Sequence, residues 1–151
     1  MALFQEKFKT YKNVFDEFTI KTLFKLISQG YFEGLESPIS VGKESNVFSA
    51  SRKDGQKIIV KIYRLQTVDF NRMYDYIKDD PRYPKLKRDR RQIIFSWAKR
   101  EYRNLLLARQ GHVAVPTALG VTNNVLVQEF IGTADVAPKL KDSIPKNPKK
   151  F

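Results

Sequence analysis

Residues 58–63 read Ile58-Ile59-Val60-Lys61-Ile62-Tyr63, an apolar run that predicts a buried strand with one lysine in it. Burying an ammonium is costly unless a counter-charge and hydrogen bonds compensate for the lost water, so Lys61 needs a partner. The Glu101 carboxylate has the same requirement, because it lies on the apolar stripe of a predicted helix. The residues of this stripe are three or four positions apart: Ile94, Ala98, Glu101, Leu105 and Ala108. The sequence therefore predicts a buried Lys61–Glu101 ion pair that positions an anionic ligand.

The composition favours one folded domain, because 151 residues can bury a sizeable core and 42% of them are apolar. The chain has no cysteine, which excludes disulfides and thiolate metal sites, and its one histidine, His112, excludes histidine clusters. Its first residues carry an acid and lack the apolar region of a signal peptide. No apolar stretch approaches the roughly 20 residues of a membrane span. We expect a cytoplasmic protein without membrane contact.

Positive charge is concentrated in two places within a net charge of +12. Residues 85–103 hold eight basic side chains against Asp89 and Glu101, and residues 139–150 hold five lysines against Asp142. Clustered charge of this sign favours polyanions such as RNA, although a solvated basic surface explains it equally well. The candidate RNA contacts are Lys85, Lys87, Arg88, Arg90, Arg91 and Arg100.

Hydrophobic periodicity and turn residues predict the order of elements. Asp54-Gly55 is a strong hairpin signal, and Gly30 and Gly111 are natural helix ends. The predicted elements are a helix at 14–29, strands at 38–41, 47–51 and 57–63, a short helix at 67–78 with Thr67 as N-cap, a long helix at 91–109, and strands at 116–121 and 125–130.

Five antiparallel strands with a packed long helix, preceded by an N-terminal helix, make an α+β fold with the shape of a kinase N-terminal lobe. A strand lysine paired with a helix glutamate is also the arrangement of a kinase nucleotide site. We assign the lobe to residues 14–132. We expect residues 1–13 to be frayed and residues 133–151 to form an extended basic segment leading toward a second lobe.

Six segments in this order resemble the RIO family of atypical protein kinases, specifically its first subfamily, over about residues 14 to 142. Residues 40–48 resemble its phosphate-binding loop, 60–64 its lysine strand, and 97–105 its glutamate helix. The start of a strand is matched by residues 113–116, the hinge by residues 126–132, and the segment before the second lobe by residues 137–142. The most recognisable motifs are Ser40-Val41-Gly42-Lys43-Glu44-Ser45-Asn46-Val47-Phe48, Val60-Lys61-Ile62-Tyr63-Arg64 and Trp97-Ala98-Lys99-Arg100-Glu101-Tyr102-Arg103-Asn104-Leu105.

The resemblance implies an ATP site. Lys61 would contact the α and β phosphates with Glu101 holding it, while Glu129 and Ile131 would present backbone groups to adenine. The phosphates would lie on backbone N–H groups, the Ser45 hydroxyl and the Asn46 amide of a loop that comprises Gly42, Lys43, Ser45, Asn46 and Val47.

Each of these assignments has a plain structural alternative. The loop could be an ordinary polar turn between strands, and Lys61 could be an edge-strand lysine whose head lies in solvent. Glu101 could pair with Arg100 or Arg103 on the surface of its own helix.

The chain lacks the family's His-x-Asp catalytic loop and its Asp-x-Gly metal segment. We therefore assign no catalytic residue and no metal ligand within the chain, and we expect Mg²⁺ only together with a second lobe. The sequence fits either a part of a longer kinase or a one-lobe gene product.

Two functions from different classes follow. The first is the ATP-binding lobe of a RIO-type serine/threonine kinase or ATPase that acts in maturation of the small ribosomal subunit, with the 151 residues alone inactive. The alternative is a non-catalytic module that binds RNA or the ribosome and has inherited the kinase-lobe shape.

Overall fold

The computed structural model describes residue 11 and residues 14–67, 69–147 and 149. The elements in chain order are α1 (Glu17–Ser28), β1 (Leu35–Val41), β2 (Ser45–Ser51), β3 (Lys57–Tyr63), α2 (Phe70–Ile77), α3 (Arg90–Gln110), β4 (Ala118–Thr122) and β5 (Val125–Glu129). A 3₁₀ turn, Leu140–Asp142, follows in the C-terminal segment. The predicted α+β fold is confirmed, with the ends of several elements shifted.

The five strands form one antiparallel sheet in the order β1-β2-β3-β5-β4. In its central strand, Lys61 lies opposite Val47 of β2 and opposite Leu126 of β5. Side chains directly opposite each other across antiparallel strands share a face of the sheet, while successive residues of one strand alternate between faces. Lys61, Val47 and Leu126 therefore form one row on one face.

Helix α1 covers the other face of the sheet, which we call the α1 face. The buried members of this cluster include Ile20, Leu23, Leu26, Phe32, Ile58, Val60, Ile62, Val125 and Val127. Burying one such side chain contributes roughly 1.5–3 kcal/mol, so this cluster is a main source of stability.

Helices α2 and α3 cover part of the face that carries Lys61, which we call the α3 face. Its buried cluster consists of Tyr63, Leu65, Met73, Ile94 and Ala98. The buried residues of α3 are Ile93, Ile94 and Ala98, all of which precede Glu101. The α3 face is therefore only partly covered around Lys61.

The turn between β4 and β5 fastens α1 to the sheet. Asn123 adopts a positive φ of 52°, as expected for a turn asparagine. The buried Asn124 side-chain amide donates to Thr19 Oγ1 at 3.0 Å and to the Tyr63 carbonyl at 2.9 Å. The predicted turn pair thus also holds the α1 helix against the central strand.

Thr67 is not the N-cap of α2, which corrects the sequence prediction. The helix begins at Phe70 after Asp69, whose side chain makes no capping bond. The Thr67 hydroxyl donates to the Lys43 carbonyl at 3.0 Å and accepts from the Asp69 N–H. Its role is to tie the segment before α2 to the β1–β2 loop.

The expectation for residues 1–13 falls outside the described residues except at Tyr11. That residue is buried, and its hydroxyl accepts a hydrogen bond from the Leu35 N–H at 2.8 Å. Residues 133–144 are exposed, and Gly132 forms a short bridge with Val136. None of the helices in the described residues combines the length and apolar character needed to cross a bilayer.

Replacement of Leu23 by Ala should lower the free energy of unfolding by about 2–5 kcal/mol, because it empties a fully buried position between α1 and the sheet. Leu107→Ala is the matched control, since this α3 leucine is 56% exposed and should change stability by less than about 0.5 kcal/mol. Urea denaturation measures both. Equal losses would contradict the assigned core.

Candidate functional site

Lys61 and Glu101 form an ion pair between β3 and α3. The Lys61 ammonium lies 3.0 Å from each carboxylate oxygen of Glu101. The side chains remain 24% and 28% exposed, so the pair is half-buried rather than buried as the sequence analysis expected. The cause is the partial covering of the α3 face. The pair is therefore partly reachable from solvent.

The local sequence explains how both side chains reach this point. Alternation along β3 places Lys61 and Tyr63 on the α3 face, and the ammonium lies 5.1 Å from the Tyr63 ring centroid. The small Ala98 is fully buried one turn before Glu101, which lets α3 approach the sheet closely. Glu101 does not use the alternative partners Arg100 and Arg103.

The β1–β2 loop is held by hydrogen bonds to its own carbonyl groups. The Gly42 N–H closes the turn on the Ser45 carbonyl at 2.9 Å. The Glu44 carbonyl accepts from the Arg64 N–H at 2.8 Å, and the Gly42 carbonyl accepts from the Arg64 side chain at 3.3 Å. Together with the bond to Thr67, every carbonyl of residues 42–44 is occupied.

The backbone N–H groups of this loop differ from its carbonyl groups in this respect. In the part of the chain that the structure describes, the N–H groups of Lys43 and Glu44 have no hydrogen-bond acceptor. Glu44 is held instead through its carboxylate, which pairs with Arg72 at 2.8 Å. Unpaired backbone N–H groups in a turn form a concavity that suits an anion.

The structure separates the remaining loop residues into two groups. Ser45 lies opposite Tyr63 and Val47 lies opposite Lys61, so both belong to the α3 face. Asn46 lies opposite Ile62, which places its side chain on the α1 face. There its amide oxygen is buried without a partner, beside a cavity of about 200 Å³ lined by residues that include Thr19. The Asn46 amide is therefore not brought to Lys61.

The predicted hinge consists of the end of β5 and the loop that follows it. The Glu129 carboxylate accepts from the Thr117 N–H at 3.0 Å, and the Glu129 N–H donates to the Thr117 carbonyl at 2.8 Å. The Ile131 carbonyl accepts from the Ala137 N–H at 2.8 Å, and the Ile131 side chain is 46% exposed. Both residues are thus fixed, and the Ile131 carbonyl is already used within the chain.

A cavity of about 400 Å³ borders Glu101. It is lined by Trp97, Arg100, Glu101, Asn104, Leu105, Ala108 and Val115. Most of this lining belongs to the second half of α3, where no residue is buried. The Glu101 side chain therefore contacts the Lys61 ammonium and also borders this cavity.

The four arginines among the candidate RNA contacts stack on aromatic rings. Arg88 lies over the ring of Tyr74, Arg90 over Phe70, Arg91 over Phe18 and Arg100 over Trp97. Arg100 differs from the others, since its Nε lies 3.1 Å from Asp80. Lys85 and Lys87 are exposed. Stacking fixes the arginines without neutralising them, whereas Arg100 is committed to an internal ion pair.

Comparison with known proteins gives a consistent set of relatives. A family model described as the RIO domain matches residues 46–151. The RIO-type serine/threonine-protein kinase Rio1 of Haloferax volcanii is 38% identical over 144 residues, which cover 95% of this chain and 50% of that protein. Rio1 of Methanocaldococcus jannaschii is 42% identical over 140 residues, which cover 92% and 48%. The chain spans about half the length of these curated relatives.

Among solved structures, the Rv3197–erythromycin complex from Mycobacterium tuberculosis is a distant neighbour. It is 17% identical, with a TM-score of 0.37, and the match covers 87% of this chain and 41% of that one.

The Lys61–Glu101 pair should contribute little to stability, because side chains that are 24% and 28% exposed remain partly screened by solvent. We expect Glu101→Gln to lower the free energy of unfolding by less than about 1 kcal/mol. Glu17→Gln, which breaks the exposed pair with Lys21, is the matched control in the same urea titration. A loss of about 3 kcal/mol or more for Glu101→Gln would instead identify a fully desolvated pair.

Proposed function

The chain belongs to the RIO domain family, and we propose that it is the ATP-binding lobe of a RIO-type serine/threonine protein kinase or ATPase. The observation that carries this proposal is the Lys61–Glu101 pair with one side open to solvent. A pair held only for stability gains nothing from that opening. A pair that presents an ammonium to phosphate oxygens requires it.

In this proposal the two charges have separate tasks. The Lys61 ammonium contacts the α and β phosphates of ATP, and Glu101 holds it in place through its two 3.0 Å contacts. The N–H groups of Lys43 and Glu44, which have no acceptor among the described residues, and the Ser45 hydroxyl are the further donors for the phosphates. The Asn46 side chain is left out of the phosphate site because it lies on the α1 face.

The adenine ring would lie deeper along the same face. Val47 is in the Lys61 row and offers an apolar surface to a ring. Backbone groups of Glu129 and Ile131 would meet the ring edge as a hinge does. The Ile131 carbonyl already accepts from Ala137, so its N–H group is the one available to the nucleotide.

Phosphate transfer requires groups that we do not assign to this chain. Within the described residues, no three Asp, Glu, His or Cys side chains gather as metal ligands would, so no step through Mg²⁺ is assigned here. The sequence has no His-x-Asp or Asp-x-Gly motif to orient a nucleophile or hold a metal. We expect residues 1–151 to bind ATP weakly and to transfer no phosphate.

Lys61→Ala should weaken ATP binding by about tenfold or more, which corresponds to about 1.4 kcal/mol, because it removes a charged hydrogen bond to phosphate. Titration calorimetry of Mg·ATP into the chain measures the change. Lys53→Ala removes the same charge from the exposed β2–β3 turn and should leave the dissociation constant unchanged. Equal affinities for Lys61→Ala and the wild-type chain would refute the proposed site.

A second candidate function is RNA or ribosome binding, and the stacked arginines favour it specifically. Arg88, Arg90 and Arg91 are exposed guanidinium groups held over rings near the N-terminal end of α3. Fixed cations of this kind bind phosphate backbones at a low entropic cost. This surface and the ATP site are compatible with each other in a protein that acts in small ribosomal subunit maturation.

Charge reversal at Arg90 and Arg91 together should weaken binding to a single-stranded RNA and should lower the salt slope by about 0.7 for each lost phosphate contact. Lys25→Glu with Lys53→Glu makes the same charge change at distant exposed positions. Fluorescence anisotropy across a salt series compares the two. If both double variants lose the same affinity, the stacked surface has no special part in RNA binding.

A further inference from the structure

Residues 80–83 form a short segment, which we call the clasp, that lies against α3. Its centre is the Asp80 carboxylate, which is only 8% exposed. Arg82 reaches both oxygens of that carboxylate, with Nη2 at 2.8 Å from Oδ2 and Nε at 3.1 Å from Oδ1. Arg100 of α3 approaches the same Oδ2 at 3.1 Å. Asp80 therefore joins the clasp to the helix residue immediately before Glu101.

The clasp also contacts α3 after Glu101. Arg82 donates from Nη1 to Asn104 Oδ1 at 3.0 Å. The guanidinium of Arg103 lies 5.7 Å from the ring centroid of Tyr83, the last residue of the clasp. Contacts at positions 100, 103 and 104 thus bracket Glu101 within one helical turn.

These contacts matter because no residue of α3 beyond Ala98 is buried in the core. Every residue from 101 to 110 is partly or fully exposed. The rotation of the helix about its axis at Glu101 therefore depends on the sheet on one side and on the clasp on the other. A rotation of one residue position turns a helical side chain by about 100°.

Asp80 carries its charge at neutral pH. Hydrogen bonds from the Arg82 side chain, then from the Arg82 backbone N–H, and the positive charges of Arg82 and Arg100, hold the pKa of this carboxyl far below its usual range. The clasp is therefore an ionic contact under physiological conditions, and an uncharged isostere removes it.

We propose that Asp80 is a positioning residue for the nucleotide site, which acts by holding α3 so that the Glu101 carboxylate stays on the Lys61 ammonium. Its significance for ATP rests on the proposed function, but the placement of Glu101 is testable without nucleotide. Asp80 itself touches neither Lys61 nor any proposed phosphate donor.

The test is the rate at which Lys61 is acylated by an amine-specific reagent, followed by peptide mass spectrometry of the folded chain. Glu101→Gln gives the acylation rate of Lys61 when the pair is broken. We expect that rate to exceed the wild-type rate roughly threefold, a change whose free energy is in the range of a partly exposed ion pair. Asp80→Asn should by itself raise the Lys61 acylation rate by most of the same amount. Asp75→Asn, which breaks an exposed pair with Lys78 on α2, is the matched control and should leave the rate unchanged.

A double variant separates positioning from general loosening. If Asp80 acts through Glu101, Asp80→Asn should add nothing to the Lys61 rate in the Glu101→Gln background. A lower melting temperature with an unchanged Lys61 rate would overturn the proposal, since Asp80 would then only stabilise the fold. If Asp80→Asn does not fold, Asn104→Ala removes a single clasp contact and is judged by the same two criteria.

The same assay keeps this inference distinct from the proposed function. Mg·ATP added to the wild-type chain should protect Lys61 from acylation if the nucleotide site is correct. Absence of protection would refute the ATP site while leaving the nucleotide-free effect of Asp80→Asn in place. An effect of ATP without an effect of Asp80→Asn would refute only the positioning role.

Discussion

The contact between the Lys61 ammonium and the Glu101 carboxylate is the constraint around which this structure is arranged. Lys61 places a charge in the central strand of the sheet, and α3 brings it a partner at 3.0 Å from both carboxylate oxygens. The pair lies on the face of the sheet that is only partly covered, and the Lys61 side chain keeps 24% of its surface exposed.

The two faces of the sheet have different roles, one in stability and the other in the proposed ligand binding. The α1 face is closed by a continuous apolar cluster, and the buried Asn124 ties the covering helix to β3. On the α3 face the buried residues of the helix end at Ala98, and beyond that point the Lys61–Glu101 pair and polar contacts from the clasp hold it. Stability thus comes mainly from the α1 face, while the α3 face leaves Lys61 accessible to a ligand.

Much of this arrangement could be predicted from the sequence. The Asp54-Gly55 turn and the alternation in β2 and β3 are sufficient for the hairpin but not for its register. Counting outward from a two-residue Asp54-Gly55 loop would have placed Val47 opposite Ile62, whereas the turn is longer and Val47 lies opposite Lys61. The full burial of the ion pair was overestimated because the sequence does not reveal how far α3 extends over the sheet. The roles of Thr67 and Asp80 were not foreseen, since they depend on Lys43 and Arg100, which are distant in the sequence.

The most direct test of a nucleotide site at the Lys61–Glu101 pair is a titration of Mg·ATP into the isotope-labelled chain, followed by NMR at backbone and lysine side-chain resonances. We expect shifts that cluster on the α3 face, at Lys61, Val47, the 42–45 loop and the Ile131 N–H, with the Asn46 side chain and the α1 cluster unchanged. Shifts confined to the α1 face, or to the stacked arginines at 88–91, would contradict a nucleotide site at the Lys61–Glu101 pair.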